Sequence, residues 1–230
     1  MRCIVTVLAL ALVAALPLAG CASGNSSIKR SVRATTGLDQ TRAELTRVIE
    51  QITATMDSLT AMQNATGDLK APYQAFVRET NRLSSDVDRA RARFRDLRDR
   101  AEVYIAEWQA EVEGIQNEEI RAISAERSAQ AQSDWEHVED AARLAGEPVD
   151  PFMQRLTDIQ TALANDLTAA GVEAMHNQIT EANTEAARIK RRVGALQAEI
   201  DALIVKWQRL RPEPEPAGDE TATAAEQPAK

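Results

Sequence analysis

In the stretch Ile189-Lys190-Arg191-Arg192-Val193-Gly194-Ala195-Leu196-Gln197-Ala198-Glu199-Ile200-Asp201-Ala202-Leu203-Ile204-Val205-Lys206-Trp207, the residues Ile189, Val193, Leu196, Ile200, Leu203 and Trp207 recur at alternating steps of four and three. The same rhythm runs back through Ala186, Ala182, Ile179 and Met175 to Val172, and forward to Leu210. A strand repeats every second residue and cannot carry this spacing. It is the a/d seam of a helix packed lengthwise on another helix, and a strict seven-residue period imposes a left-handed supercoil.

Working outward, a second seam starts at Leu69 and passes through Tyr73, Phe76, Thr80, Leu83, Val87, Ala90, Phe94, Leu97, Ala101, Tyr104, Trp108 and Ile115, with Glu111 its one charged member. A shorter seam precedes it at Leu45, Ile49, Ile52, Met56 and Leu59, and a fourth stripe is Phe152, Leu156, Ile159, Leu163 and Leu167. Aromatic residues are only 3% of the chain, and Ala, Glu, Gln, Arg and Leu, all strong helix formers, dominate. The expected fold is all-α, an elongated antiparallel helical bundle or coiled coil of three to four helices across residues 38–210.

Breaks divide the seams. Thr66-Gly67-Asp68 offers a Gly to end one helix and an Asp to cap the next, with Pro72 in its first turn. Gly146-Glu147-Pro148-Val149-Asp150-Pro151 reads as the sharpest stop, with Asp150 as N-cap and Pro151 at the first helical position. Ala169-Ala170-Gly171 is a softer break, while Gly114 and Gly194 fall inside helices and off the seam. If 69–145 is continuous it spans about 115 Å, and 151–210 returns about 90 Å of that, with 39–65 adding about 40 Å. If the chain reverses at Gly171, the body is a shorter four-helix bundle.

The flanks carry different information. Met1-Arg2 supplies a positive charge, Ile4–Leu16 an apolar run, and Leu18-Ala19-Gly20-Cys21 small residues ahead of a cysteine. The apolar run is shorter than the roughly 20 residues a membrane span needs, and Pro17 interrupts it. This resembles the bacterial lipobox, which implies that residues 1–20 are a cleaved signal peptide and that Cys21 carries the lipid. The resemblance also implies an outer-membrane, periplasmic location, because Ala22 rather than Asp follows Cys21. Cleavage would remove Cys3 and lipid would occupy the Cys21 sulfur, leaving packing alone to stabilise the chain. Residues 21–37 read as a flexible tether rich in Ser, Gly, Asn and Thr, and 211–230 as a Pro/Glu-rich disordered tail.

The formal charge of −8 becomes one unit more negative without Arg2. Such a body is repelled by nucleic acid and anionic headgroups, so no nucleic-acid partner is expected. The expected partners are the membrane, through the lipid, and an unidentified envelope protein, with a second copy of the chain as a further possibility.

The central segments resemble an uncharacterised family of bacterial coiled-coil envelope lipoproteins, known only as a domain of unknown function. The resemblance rests on Asp68-Leu69-Lys70 with Tyr73 and Phe76, then on Tyr104, Trp108, Glu111, Ile115, Asn117, Arg121, Ser124 and Arg127, and on Pro151-Phe152 leading to Asn165-Asp166-Leu167. It covers most of 40–205 and implies fold and location but no activity.

Candidate chemistry is sparse. His137 and His176 lie on different helices with no Cys partner, and metal sites gather three or four ligands, so no metal or cofactor is expected. Glu136 and Asp140 share a helical face but read as a solvated pair. No catalytic residue is identified, for no nucleophile elbow, metal motif or phosphate loop is present. The run Arg89-Ala90-Arg91-Ala92-Arg93-Phe94-Arg95-Asp96-Leu97-Arg98-Asp99-Arg100 reads either as a solvated face with pairs such as Arg95–Asp99 and Asp96–Arg100, or as a stripe facing lipid phosphates or cell-wall carboxylates. Tyr73, Tyr104, Trp108 and Trp207 read as core residues first and a ligand shelf second. Ser124–Ser133 holds no large apolar residue, which means either close helix approach, a solvated face or a weakly packed zone. Lys230, the last residue of the sequence, matches the terminal Lys through which Braun-type lipoproteins join peptidoglycan.

These features point first to a structural or interaction scaffold in the bacterial envelope. The alternatives are a carrier of lipid or another apolar ligand between helices, and a peptidoglycan tether through Lys230. The interdigitating Leu, Ile and Val seams favour the scaffold over the carrier.

Overall fold

The structure, a computed structural model, describes residues 23–209, with side chains from 35 to 207. Cys21, Lys230, Leu210, the signal segment and the 211–230 tail lie outside the described residues. The elements are α1 (Ser23–Gln63), α2 (Lys70–Glu113), α3 (Glu118–Gly146), α4 (Val149–Asn165), α5 (Ala169–Ala174) and α6 (His176–Arg209). No strand occurs among the described residues.

Cross-helix contacts fix the arrangement. Gln51 of α1 donates to the Glu79 carbonyl (3.1 Å) and carboxylate (2.9 Å) of α2, so the two run antiparallel from the turn at 64–69. The rod α3–α4 then runs back along the whole of α2, from Trp108–Ser124 through Arg91–Asp150 to Tyr73–Gln160. Along α6, Arg155 meets Glu185, Arg192 meets Leu144 and Lys206 meets Asp134. Finally α6 closes on α1 through Arg42–Asp201 (2.8 Å) and Gln197–Thr46 (2.9 Å). The result is an up-down-up-down four-helix bundle in which α1 lies diagonally across from α3–α4, and α2 across from α6.

The seams are where the spacing puts them. Val172, Ile179, Ala182, Ala186, Ile189, Val193, Leu196, Ile200, Leu203 and Trp207 are all buried, as are Phe76, Leu83, Val87, Leu97 and Ala101 on α2. Ile52, Met56 and Leu59 of α1 and Phe152, Leu156, Ile159 and Leu163 of α4 complete the core, to which Leu38, Val48 and Met62 also belong. The seam on α2 slips near its end, where Ile105 and Val112 are buried and Glu111 is exposed. Burying a Leu- or Phe-sized side chain contributes about 1.5–3 kcal/mol, so these stripes dominate stability.

Several expectations need correction. The chain is not helical throughout 69–145. It reverses at 114–117, where Gly114 is the C-cap of α2 and the Asn117 side chain accepts from Ile120 N (3.1 Å) to start α3. The longest straight element is therefore α2, 44 residues, or about 66 Å. The stretch read as a tether is helical from Ser23, and Thr35 and Leu38 are buried. Gly37 brings α1 close to α2, since a Cβ there would lie 3.2 Å from Leu97 Cδ1.

The Gly146–Pro151 segment is a kink, not a stop. Glu147 (φ −48, ψ −47) and Pro148 (φ −82, ψ −5) both keep right-handed helical backbone between α3 and α4. Asp150 caps nothing; its carboxylate pairs with Arg91 at 2.7 Å. The full reversal comes at Asp166–Thr168. Thr168 caps α5 by accepting from Gly171 N (3.1 Å), so Gly171 lies within the first turn of α5. The break at 66–68 is a turn and not the helix ends themselves: α1 already stops at Gln63, Gly67 (φ +96) turns the chain, and α2 starts from Leu69 with no side-chain cap, Asp68 accepting instead from Lys70 N at 2.9 Å.

Candidate functional site: an apolar cavity at the bundle waist

Halfway along the bundle the four rods fail to fill the space between them. A cavity of about 250 Å³ is walled by Leu45 and Val48 of α1, Val87 and Ala90 of α2, Ala145 and Val149 at the α3–α4 junction, and Val193 and Leu196 of α6. Two local causes are visible. Ala90 on α2 faces Ala142, Ala145 and Gly146 across the gap, so small residues meet small residues. Phe94, the one ring in the lining, is held to one side by stacking on Trp135 (centroids 6.1 Å apart, interplanar angle 15°).

The kink at Pro148 lies beside this gap. Proline has no N–H, so the carbonyl four residues back, that of Leu144, loses its helical partner. Arg192 of α6 supplies a replacement donor at 2.7 Å and also reaches the Glu147 carboxylate at 3.2 Å.

The cavity opens between α2 and the α3–α4 junction, where Arg95 and Gly146 are exposed and Arg91 and Ala142 half-buried. The residues lining it include no carboxylate, hydroxyl or thiol, and its polar groups are the two guanidiniums at the mouth. Arg91 is bound to the exposed Asp150, while Arg95 has no ion-pair partner among the described residues. The arginine-rich run thus divides. Arg100–Asp96 (2.9 Å) and Arg98–Asp99 (3.3 Å) form solvated pairs, Arg89 pairs with the largely buried Asp86 (2.9 Å), and the expected Arg95–Asp99 pair is replaced by Arg98–Asp99.

A second cluster forms where α6 ends. Tyr104 contacts Trp108 and Trp207 (centroids 5.9 and 5.3 Å away), and Trp108 Nε1 donates to Ser124 Oγ at 3.4 Å. Opposite these rings Ser128 and Ala131 are buried, so the small residues of 124–133 make room for large aromatics. Nε1 of the buried Trp207 finds no acceptor among the described residues.

The other candidates stay apart. His137 and His176 are exposed on different helices, and no group of three or more His, Cys, Asp or Glu among the described residues could hold a metal. Glu136 accepts from Gln132 and Asp140 from Arg143, away from either cluster. The described helices include none long and apolar enough to cross a membrane.

The cavity was not foreseen from the seams. Its only sequence signal is that Ala90 and the Ala142/Ala145/Gly146 group come into register, and register depends on the turn at 114–117.

The family model described as "Protein of unknown function (DUF2959)" matches residues 25–209, almost the whole described body. No curated protein and no solved structure matches the chain.

Proposed function

We propose, for a chain that belongs to the DUF2959 family, the role of a lipid-anchored scaffold in the bacterial envelope that holds a protein partner at a distance from the outer membrane. The observation that carries this reading is where the body begins and ends. From Gly37, packed on Leu97, α1 runs back to Ser23 for about 21 Å alongside the last turns of α2. Trp207, near the end of α6, meets Tyr104 in the same region. Both ends of the body and the α2–α3 hairpin therefore share one end of the bundle. A lipid on Cys21 would seat that end at the membrane and aim the turns at 64–69 and 165–175 away from it. Ile120 and Ile123, 56% and 53% exposed beside the hairpin, give the membrane-facing end an apolar edge.

The test is lysine-reactive crosslinking in intact cells followed by affinity capture, with Cys21→Ser as control. A partner captured only with the lipidated form supports the scaffold. Recovery of the protein alone at full expression counts against it.

The waist cavity favours a second reading, a carrier of an apolar ligand. It predicts a co-purifying small molecule and a fold stabilised by adding that molecule back.

A further inference from the structure

We propose that the waist cavity binds a single-chain amphiphile with an anionic head, its alkyl chain among Val87, Ala90, Ala145 and Val193 and its head at Arg95. The inference rests on the carrier reading and adds the chemistry of the ligand. The walls are apolar, aliphatic except for the ring of Phe94, and water needs two to four polar partners to reside in such a space. An apolar cavity of 150 Å³ already holds a benzene-sized molecule, and this one is about 250 Å³. A volume of that size takes one chain and has no room for two.

The mouth selects the head. Arg91 and Arg95 lie one helical turn apart on one face of α2 and flank the opening. Arg91 is bridged to Asp150 across the gap, at 2.7 Å, and Arg95 is open to an incoming acceptor. A guanidinium binds carboxylate or phosphate through paired N–H donors and repels a cation. The chain as a whole is anionic, so this pair is a local exception rather than part of a basic surface.

The test measures equilibrium binding of dodecanoate, dodecyl phosphate and dodecan-1-ol to the purified protein in digitonin, a detergent too bulky for the cavity. The expected result is that at least one of the two anions binds about five-fold or more tighter than the alcohol, the discrimination one partly exposed ion pair supplies. Whichever anion is tighter identifies a free fatty acid or a phosphate head as the source. Arg95→Gln should remove most of that preference and leave dodecan-1-ol binding unchanged. Ala145→Leu, or Ala90→Met if the first variant folds poorly, should weaken all three probes. Equal binding of alcohol and anions, or a preference that survives Arg95→Gln, overturns the anionic-head inference and leaves the carrier reading standing. Binding of none of the probes overturns both.

Discussion

Arg192 on α6 donates to the backbone carbonyl of Leu144 on α3, at 2.7 Å, in place of the amide that Pro148 lacks. One side chain thereby mends a helix belonging to another rod and fixes α6 against the kink. The pair makes a specific double-mutant prediction. Arg192→Met keeps the aliphatic stem and should cost about 1 kcal/mol in urea unfolding. In a Pro148→Ala background the restored N–H satisfies Leu144, and the same substitution should cost less than half as much. Equal costs in both backgrounds would show that the carbonyl bond is not what Arg192 contributes.

Arg155 is the principal polar tie between α4 and α6. Its guanidinium donates to Glu185 (3.0 and 3.2 Å), to Glu181 (2.6 Å) and to Gln178 (2.6 Å). The Glu185 bonds chiefly hold its pKa above the ordinary value, against burial, which acts the other way. Arg155→Lys keeps the charge but loses the fork, and should lower stability by about 1–2 kcal/mol. Thermal unfolding of Arg155→Lys with and without Glu185→Gln checks this. If the two losses simply add, the fork is not acting as a unit.

Two glycines should respond to alanine in opposite directions. A Cβ on Gly171 would sit 2.2 Å from the Asp166 carbonyl oxygen, inside the turn that reverses the chain. Gly171→Ala should cost about 1–3 kcal/mol. Gly194, within α6, has nothing within 4 Å of a Cβ. Gly194→Ala should gain about 0.5–1 kcal/mol through helix propensity alone. At about 2–4 °C per kcal/mol the two melting temperatures should separate clearly.

Glu79 should shape the acid limb of stability. The amide of Gln51, donating to its carboxylate, holds its pKa below the ordinary 4.5; burial opposes this and Arg82 reinforces it. A carboxylate with a lowered folded pKa contributes stability above 4.5 that is lost as pH falls through the folded value. Glu79→Gln should make the fall in melting temperature below that pH shallower. An unchanged slope between pH 5 and pH 2 sinks the assignment.

What could be read in the sequence was what depends on period. Ile179 through Trp207 are buried at the very positions the three-four spacing gives, because one face of a long helix has nowhere else to go. What could not be read depends on termini and register. Gly114 and Asn117 are a helix stop and start, yet the seam slips rather than ends near them, and in sequence a phase shift within one long helix looks the same as a reversal. Pro148 reads as a terminator, but the backbone on both sides keeps the right-handed helical path, and the donor for the freed carbonyl, Arg192, lies 48 residues away in sequence. The waist cavity needs α2 and α3 in their final alignment before Ala90 faces Ala145. Cys21 and Lys230, the residues expected from the sequence to carry attachment, lie outside the described residues.

The shared location of the two body ends has a consequence for connectivity itself. Because α1 and α6 are neighbours in the ring, a new linker between their outer ends would be short, and the turn at Thr66-Gly67-Asp68 could be opened in exchange. The contacts that assemble the bundle run between helices and do not follow the order in which the chain visits them. A circular permutant beginning at α2 and finishing with α1 should therefore reach the same packed ring. The native order would then matter for which end of the ring carries the chain's two ends, and the packing would be indifferent to it.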